Sequence, residues 1–308
     1  MLPKNPMPRI RHEICPRHCE IEEGQVGVCG VWRNVDGVMI DLAHEWVAVP
    51  LIGLSSGSIE ANINEGFEGY CLEIHLAGCN LRCDFCSQKF LSRANISEFD
   101  GIRWKHMSAE EVVLTAVQGG AQTIMISGGE PTIHPDYVSE IGREARLYGL
   151  KTRVLTNGFI SDYALEKFIS NVDSIVVGVK GSLNHDVYRK MNLDMILDTL
   201  KKIYDSNVHL AISSLVDPSF NDSIEDAGKL AKWIAEKLSP NIPVLFCFRT
   251  MSKSNLFEFV GEKQGTPFWH DKEATRKWIV ERSLKAKECG LKNLMYFDPI
   301  DELFLKKV

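Results

Sequence analysis

Six short runs that are apolar on both faces, separated by amphipathic stretches, limit the fold of this chain more than any other feature. They are Leu72–Ala77, Thr123–Ser127, Lys151–Thr156, Ser174–Val179, Val208–Val216 and Pro243–Phe248. A strand with one wet face alternates polar and apolar residues, so runs without alternation predict strands covered on both sides, as in a parallel sheet between helices. The intervening segments carry helix signals. Ser108 with Glu111 forms a capping-box pattern before Val112, Val113 and Ala116. Asn221-Asp222-Ser223 offers a cap before Ile224, Ala227, Leu230, Ala231 and Ile234, and Asp271–Glu288 reads as a last long helix with Gly290 at its stop. Parallel neighbours need long crossovers, so the pattern predicts repeated βα units, in a doubly wound sheet or an open barrel. In either architecture ligands sit at the carboxyl ends of the strands, which puts the loops after Ala77, Ser127, Thr156 and Val179 on one rim.

The chain has 308 residues, 44% hydrophobic and 25% charged, enough for one large core plus an appendage. Residues 71–308 are assigned to that α/β domain, 51–70 to a connecting loop, and 1–50 to a small cysteine-rich module in which Asn34–Gly37 is expected to turn a hairpin. The net charge of −6 argues against a broad nucleic-acid or anionic-membrane surface. No apolar run approaches the roughly 18 residues of a membrane span, and Met1–Arg11 has three prolines and no apolar signal core. The expectation is a soluble, cytoplasmic protein.

In a reducing compartment nine cysteines favour metal ligation over a disulfide framework. Seven of them lie before residue 87. Directly after the first buried run comes Cys79-Asn80-Leu81-Arg82-Cys83-Asp84-Phe85-Cys86, three thiols in one loop. They suit an iron–sulfur cubane, and three ligands on four irons leave one iron open to a further ligand. On spacing alone a zinc knuckle is the rival. At the end of the second run stands Gly128-Gly129-Glu130-Pro131, where two glycines permit close backbone approach and a carboxylate can receive an ammonium group.

These two loops together resemble the signature of the radical S-adenosylmethionine (SAM) superfamily, over roughly residues 70–300. The resemblance implies a partial (β/α)6 TIM-like barrel, a [4Fe–4S] cluster on Cys79, Cys83 and Cys86, and SAM on the open iron. It also implies that Phe85 lies beside the adenine and that Gly128, Gly129, Glu130 and Pro131 contact the SAM amino group. More of the chain is similar to the pyruvate formate-lyase activating enzyme branch. Leu155-Thr156-Asn157-Gly158 closes the third run as in that branch, so Asn157 is carried over as a cofactor contact, and Asp173–Lys180 resembles its Asp-x4-Asp-Leu-Lys stretch, which places Lys180 near SAM. Gly178 replaces the second aspartate of that stretch.

Cys15, Cys19 and Cys29, with His12 three positions before Cys15, make a tetrahedral set of zinc-ribbon type. The segment resembles the cysteine-rich leader of activating-enzyme homologues, with His12 where a fourth cysteine normally stands. Zinc, iron, or three reduced thiols without metal are the readings of this set. Cys71, Cys247 and Cys289 are expected to be packing or incidental residues, and His75 a satisfied core histidine. His134, His185 and Arg249 lie on the ligand rim, and Phe257, Phe259, Phe268 and Trp269 form an aromatic segment.

The resemblance implies one-electron cleavage of SAM to a 5′-deoxyadenosyl radical that takes hydrogen from a substrate. The electron would come from a flavodoxin- or ferredoxin-type donor. The branch implies a protein glycine as substrate. A small molecule or cofactor precursor is the alternative, and a non-catalytic iron–sulfur or metal-binding protein is the reading from another class. No side chain is singled out as a catalytic acid or base.

Overall fold

The computed structural model describes residues 9–48, 53–55, 69–86, 88–94, 104–180, 183, 192–216, 223–248, 272–298, 300 and 305–308. His185, Arg249, Asn221, Asp222 and the aromatic segment 257–269 lie outside the described residues. The chain divides into two compact units, residues 1–55 with 69–173, and 56–68 with 174–308.

The first unit begins with the two-residue pair β1 (Ile10–Arg11) and β2 (Glu20–Ile21) and the hairpin of β3 (Trp32–Val35) and β4 (Val38–Asp41). Val35 pairs with Val38, so Asp36 and Gly37 alone make the turn. Both have positive φ, 51° and 80°, the two-residue turn that matches strand twist. The sheet of this unit follows, from β5 (Trp46–Ala48), β6 (Gly53–Ser55), β7 (Cys71–Leu76), β8 (Trp104–His106), β9 (Thr123–Gly128) and β10 (Lys151–Thr156). Its spatial order is β8-β5-β7-β9-β10, with β6 also paired to β7. β7, β9 and β10 run parallel, as their unalternating apolarity requires, and are nearly all buried. β5, β6 and β8 are short antiparallel additions.

Among the described residues four helices pack in this unit: α1 (Lys89–Ser92), α2 (Ala109–Gln118), α3 (Pro135–Leu147) and α4 (Asp162–Asn171). The capping box read at α2 is present on both sides, with the Ser108 hydroxyl accepting from Glu111 N and the Glu111 carboxylate accepting from Ser108 N. α3 and α4 approach closely at Gly142, where an added Cβ would stand 2.1 Å from the Asn171 carbonyl oxygen. The Asp173 carboxylate accepts from the backbone N–H (2.7 Å) and hydroxyl (3.1 Å) of Thr152 near the start of β10.

The second unit carries β11 (Ser174–Lys180), β12 (His209–Val216), β13 (Val244–Phe248), β14 (Leu294–Phe297) and β15 (Leu305–Lys307) in sequence order. The first four are parallel and β15 returns antiparallel. α5 (Leu193–Tyr204), α6 (Ile224–Lys237) and α7 (Lys272–Glu288) connect them. Ser223 caps α6 by accepting from Asp226 N at 3.0 Å. Gly228 on α6 meets α7, since a Cβ there would lie 3.1 Å from Cys289 Sγ and 3.4 Å from Lys285 Cγ. Among the described residues no helix is long and apolar enough to cross a membrane.

Gly142→Ala is expected to cost about 1–3 kcal/mol, because the methyl group must push α3 off the carbonyl of Asn171. Urea unfolding of the variant against the parent measures it.

Candidate functional site

The register of the parallel strands assembles the site. Leu76 of β7 lies beside Gly128 of β9, and Ile126 of β9 beside Val154 of β10. The residues that follow these strands, Cys79, Glu130 and Asn157, therefore leave from one edge, where carboxyl-end loops of a parallel sheet gather ligands.

At this edge two backbones touch with no side chain between them. Gly129 donates its N–H to the Leu76 carbonyl at 2.9 Å. A Cβ on Gly129 would fall 1.8 Å from the Gly78 carbonyl oxygen, and one on Gly128 would fall 2.3 Å from Leu76 N. Gly78, at φ +77°, is equally confined on its other side by Val31 and the Cys29 carbonyl. The glycines read from sequence as room for a ligand thus also let the β9 loop and the cysteine loop share one space.

Glu130 is buried, and its carboxylate accepts four hydrogen bonds. Oε1 receives Thr132 N (3.1 Å), Thr132 Oγ1 (2.7 Å) and Thr156 Oγ1 (2.7 Å), while Oε2 receives Asn157 N (2.8 Å). Burial pushes its pKa up, and the bonds from Asn157, Thr132 and Thr156 offset only part of that shift. The carboxylate ties the end of β9 to the end of β10. Pro131 follows it, buried in a single 3-10 turn over Pro131–Ile133.

Asn157 carries that bracing on to the cysteine loop. Its side-chain amide donates to Asn80 Oδ1 at 2.9 Å and stands 3.8 Å from Cys79 Sγ, while Asn80 Nδ2 donates to the Phe159 carbonyl at 2.8 Å. Leu81 N also points at Cys79 Sγ, 3.3 Å away. Asn80 was not singled out from sequence. A fully buried asparagine inside a polar loop has no signature until its partner is known, and Asn157 is 77 residues away.

Cys79 is buried, so burial first and then the nearby Glu130 charge push its thiol pKa far up. Coordination to a metal reverses that preference, because a ligating thiol is deprotonated. The two N–H groups directed at its sulfur suit a thiolate. Cys83 and Cys86 are half-buried. Cys86 N donates to the Cys83 carbonyl at 3.2 Å, and Cys86 Sγ lies 3.4 Å from the Ser92 hydroxyl at the end of α1. Phe85 between them is half-buried. The donor set fits an iron–sulfur cluster: three thiols in one loop, none in a disulfide, one of them preset with N–H donors. Lys180 ends β11, in the second unit.

The N-terminal segment sits behind the cysteine loop. Cys79 N donates to the Cys29 carbonyl (3.3 Å), the Arg17 guanidinium donates to the Asn80 carbonyl, and Arg82 donates to the Val28 carbonyl. Trp32 Nε1 donates to the Ile133 carbonyl at 2.7 Å. Cys15 and Cys29 are buried and burial raises both thiol pKa values, Cys15 to about 11. His12 is buried against Trp32 with ring centroids 4.6 Å apart, and burial lowers its pKa to about 4. Its Nε2 is buried without a hydrogen-bond partner. A neutral imidazole with a spare nitrogen is the form that ligates a metal.

His134 is placed differently from the rim contact expected of it. Both ring nitrogens are committed inside the protein, Nδ1 to Asp41 Oδ2 at 2.6 Å and Nε2 to the Ala77 carbonyl at 2.7 Å. A carbonyl and a carboxylate only accept, so the ring donates at both ends and carries both protons. Burial alone would lower its pKa, but the Asp41 charge and hydrogen bond, the Ala77 carbonyl and the Glu130 charge outweigh it and raise the value. Cys71 is buried as expected, and burial raises its pKa to about 11. His75 is also buried, with Nε2 3.4 Å from Glu73 Oε1.

One further ligand set stands out among the described residues. Single ligand atoms of His44, Glu45 and Glu140 lie within 4.8 Å of one another, all partly exposed. Neither cysteine set is gathered that tightly; a cubane, whose thiolates bind separate irons, does not require it, whereas a single zinc would draw His12, Cys15, Cys19 and Cys29 closer together.

The family model described as the radical SAM superfamily matches residues 74–233, just over half of the chain. An uncharacterized protein of Methanocaldococcus jannaschii is 29% identical over 245 residues, covering 77% of this chain and 70% of its own. The S-adenosylmethionine-dependent nucleotide dehydratase of Flammeovirga pacifica is 28% identical over 176 residues, covering 53% of this chain and 60% of that protein. The pyruvate formate-lyase-activating enzyme of Clostridium pasteurianum is 26% identical over 176 residues, covering 52% and 68%. Among solved structures, SuiB of Streptococcus suis matches with a TM-score of 0.50 at 16% identity over 73% of this chain and 47% of that chain, a likeness of fold.

The raised pKa of His134 makes a pH prediction. A folded state that binds the proton more tightly than the unfolded chain gains stability that is fully present below the ordinary value of 6.5 and is lost as pH rises through the raised one. Asp41→Asn is expected to flatten this part of the stability–pH curve. Urea unfolding at a series of pH values from 6 upward, on parent and variant, measures the difference in slope.

Proposed function

The chain belongs to the radical SAM superfamily, and from that premise we propose that Cys79, Cys83 and Cys86 hold the [4Fe–4S] cluster and leave one iron to SAM. The observation that carries the assignment is the preset state of Cys79. It is buried at the carboxyl edge of the sheet, with Leu81 N and the Asn157 amide directed at its sulfur and the backbones of Gly78 and Gly129 in contact. When bound, cluster and SAM supply a reductive carbon–sulfur cleavage that yields methionine and a 5′-deoxyadenosyl radical able to take hydrogen from a substrate.

The protein's own residues fix positions and exclude water. Leu81 N and Asn157 offset the charge of the Cys79 thiolate, which would otherwise be costly to bury. Gly128 and Gly129 expose main chain to the SAM amino group, and Glu130 holds the ends of β9 and β10 at fixed separation. Phe85 offers an aromatic edge to the adenine. Rigid placement matters because the radical is indiscriminate, so selectivity rests on which hydrogen is held within reach.

Electrons reach the cluster from a flavodoxin- or ferredoxin-type donor, and the substrate is a protein glycine, as the likeness to an activating enzyme supports. The likeness to a nucleotide dehydratase favours a second reading, a small-molecule substrate. His12, Cys15, Cys19 and Cys29 hold a further metal, zinc before iron, a reading supported by the unpartnered Nε2 of His12.

Anaerobic protein reduced with dithionite in the presence of SAM is expected to form 5′-deoxyadenosine, and Cys83→Ala to form none. Elemental analysis is expected to give about four irons and one zinc per chain; roughly eight irons would instead indicate a second cluster at the N-terminal thiols. An intact cluster in the parent with no 5′-deoxyadenosine would replace the enzyme by a non-catalytic iron–sulfur protein.

A further inference from the structure

The segment ahead of the sheet grips the cysteine loop more closely than surface packing requires. Successive backbone groups of that loop are taken up from residues 17–41. Arg17 holds the Asn80 carbonyl, the Cys29 carbonyl takes Cys79 N, and Val31 and Cys29 fill the space beside Gly78. His134 completes the series by joining Asp41 of β4 to the Ala77 carbonyl, the first residue after β7. This last link differs in kind from the others. It is a charged ring fully buried between two acceptors, and no water can substitute for either bond without opening the core.

We propose that the N-terminal module positions the cluster loop, with the buried His134–Asp41 pair as the joint between them. This rests on the reading that Cys79, Cys83 and Cys86 hold the cluster. His134 and Asp41 are then positioning residues. Through Ala77 and the adjoining Gly78 they fix where Cys79 emerges and so the corner of the cluster offered to SAM. Partners one step removed from a metal orient its ligands, and their loss typically costs about 10–100-fold in affinity or activity.

The hydrogen-bond pattern allows a test that loss of packing alone would not pass. In His134→Gln the glutamine amide can still donate to Ala77, but its carbonyl then faces the Asp41 carboxylate, acceptor against acceptor. In Asp41→Asn the imidazole is neutral, its Nε2–H still donates to the Ala77 carbonyl, and the asparagine amide N–H donates to Nδ1. The double variant restores a donor–acceptor pair, because the new amide N–H at position 41 donates to the new carbonyl at position 134 in place of the ionic bond.

All four proteins are reconstituted anaerobically and compared by circular dichroism, iron and sulfide content, and the EPR spectrum of the reduced cluster with and without SAM. His134→Gln is expected to stay folded while the SAM concentration needed to change the EPR signal rises about 10–100-fold. Asp41→Asn and the double variant are expected to respond like the parent. A folded His134→Gln with the parental response overturns the proposal, and so does a double variant as impaired as His134→Gln. Should His134→Gln fail to fold, the double variant decides, with a parental response supporting the joint and an impaired one overturning it. A parent that binds no cluster overturns the cluster assignment and this inference together, whereas a competent parent with indifferent variants overturns the inference alone.

Discussion

The contact between Gly129 and Gly78 is the constraint on which the site depends. Two loops from different strands can approach until a carbonyl oxygen occupies the place of a Cβ only if the residue facing that oxygen has no side chain, and the Cβ of an alanine at position 129 would sit 1.8 Å from that oxygen. Because the loops touch, the register of β7 against β9 is transmitted directly to the cysteines. A hydrogen bond from Gly129 N to the Leu76 carbonyl fixes the approach. The parallel sheet therefore contributes to the position of Cys79 through direct backbone contact.

On this frame the polar groups form a closed chain rather than a set of independent donors. Glu130 spans from Thr132 to Thr156 and Asn157, Asn157 reaches Asn80 and Cys79, and Asn80 returns to Phe159. Each member is buried and each bond removes a desolvation penalty from another group, so the network is stable only when complete. The buried ionisable groups respond in opposite senses. Glu130 is pushed towards its neutral form, while His134 is held charged by Asp41. Burial is the larger reason that a free thiolate at Cys79 is disfavoured.

The parallel strands were legible because burial on both faces leaves a mark in local sequence. Thr123–Gly128 and Lys151–Thr156 agree with the apolar runs to within a residue. The capping box at Ser108 and the cap at Ser223 were legible for the same reason, since both are patterns of adjacent residues. The short strands Trp46–Ala48 and Trp104–His106 were not, because three residues of antiparallel edge carry no period. Within the site, the cysteines and the Gly-Gly-Glu-Pro stretch stood out as contiguous motifs. Asn80 and the true place of His134 did not, for their partners lie 77 and 93 residues away, and only the tertiary fold makes a buried amide or imidazole intelligible.

The same distance in sequence bears on how the cysteine loop comes to be ordered. A ten-residue loop with three thiols gains little from its own hydrogen bonds, and fixing its backbone costs about 1–2 kcal/mol per residue. Most of the described bonds that fix its first half come from Cys29, Arg17, Leu91, His134, Asn157 and Phe159, all outside the loop. Order at Cys79 therefore follows from docking of the preceding module and of the strands on either side, and cannot precede it. Cys83 and Cys86 lie farther along and are only half-buried. Burial therefore falls along the loop from Cys79 to the other two thiols.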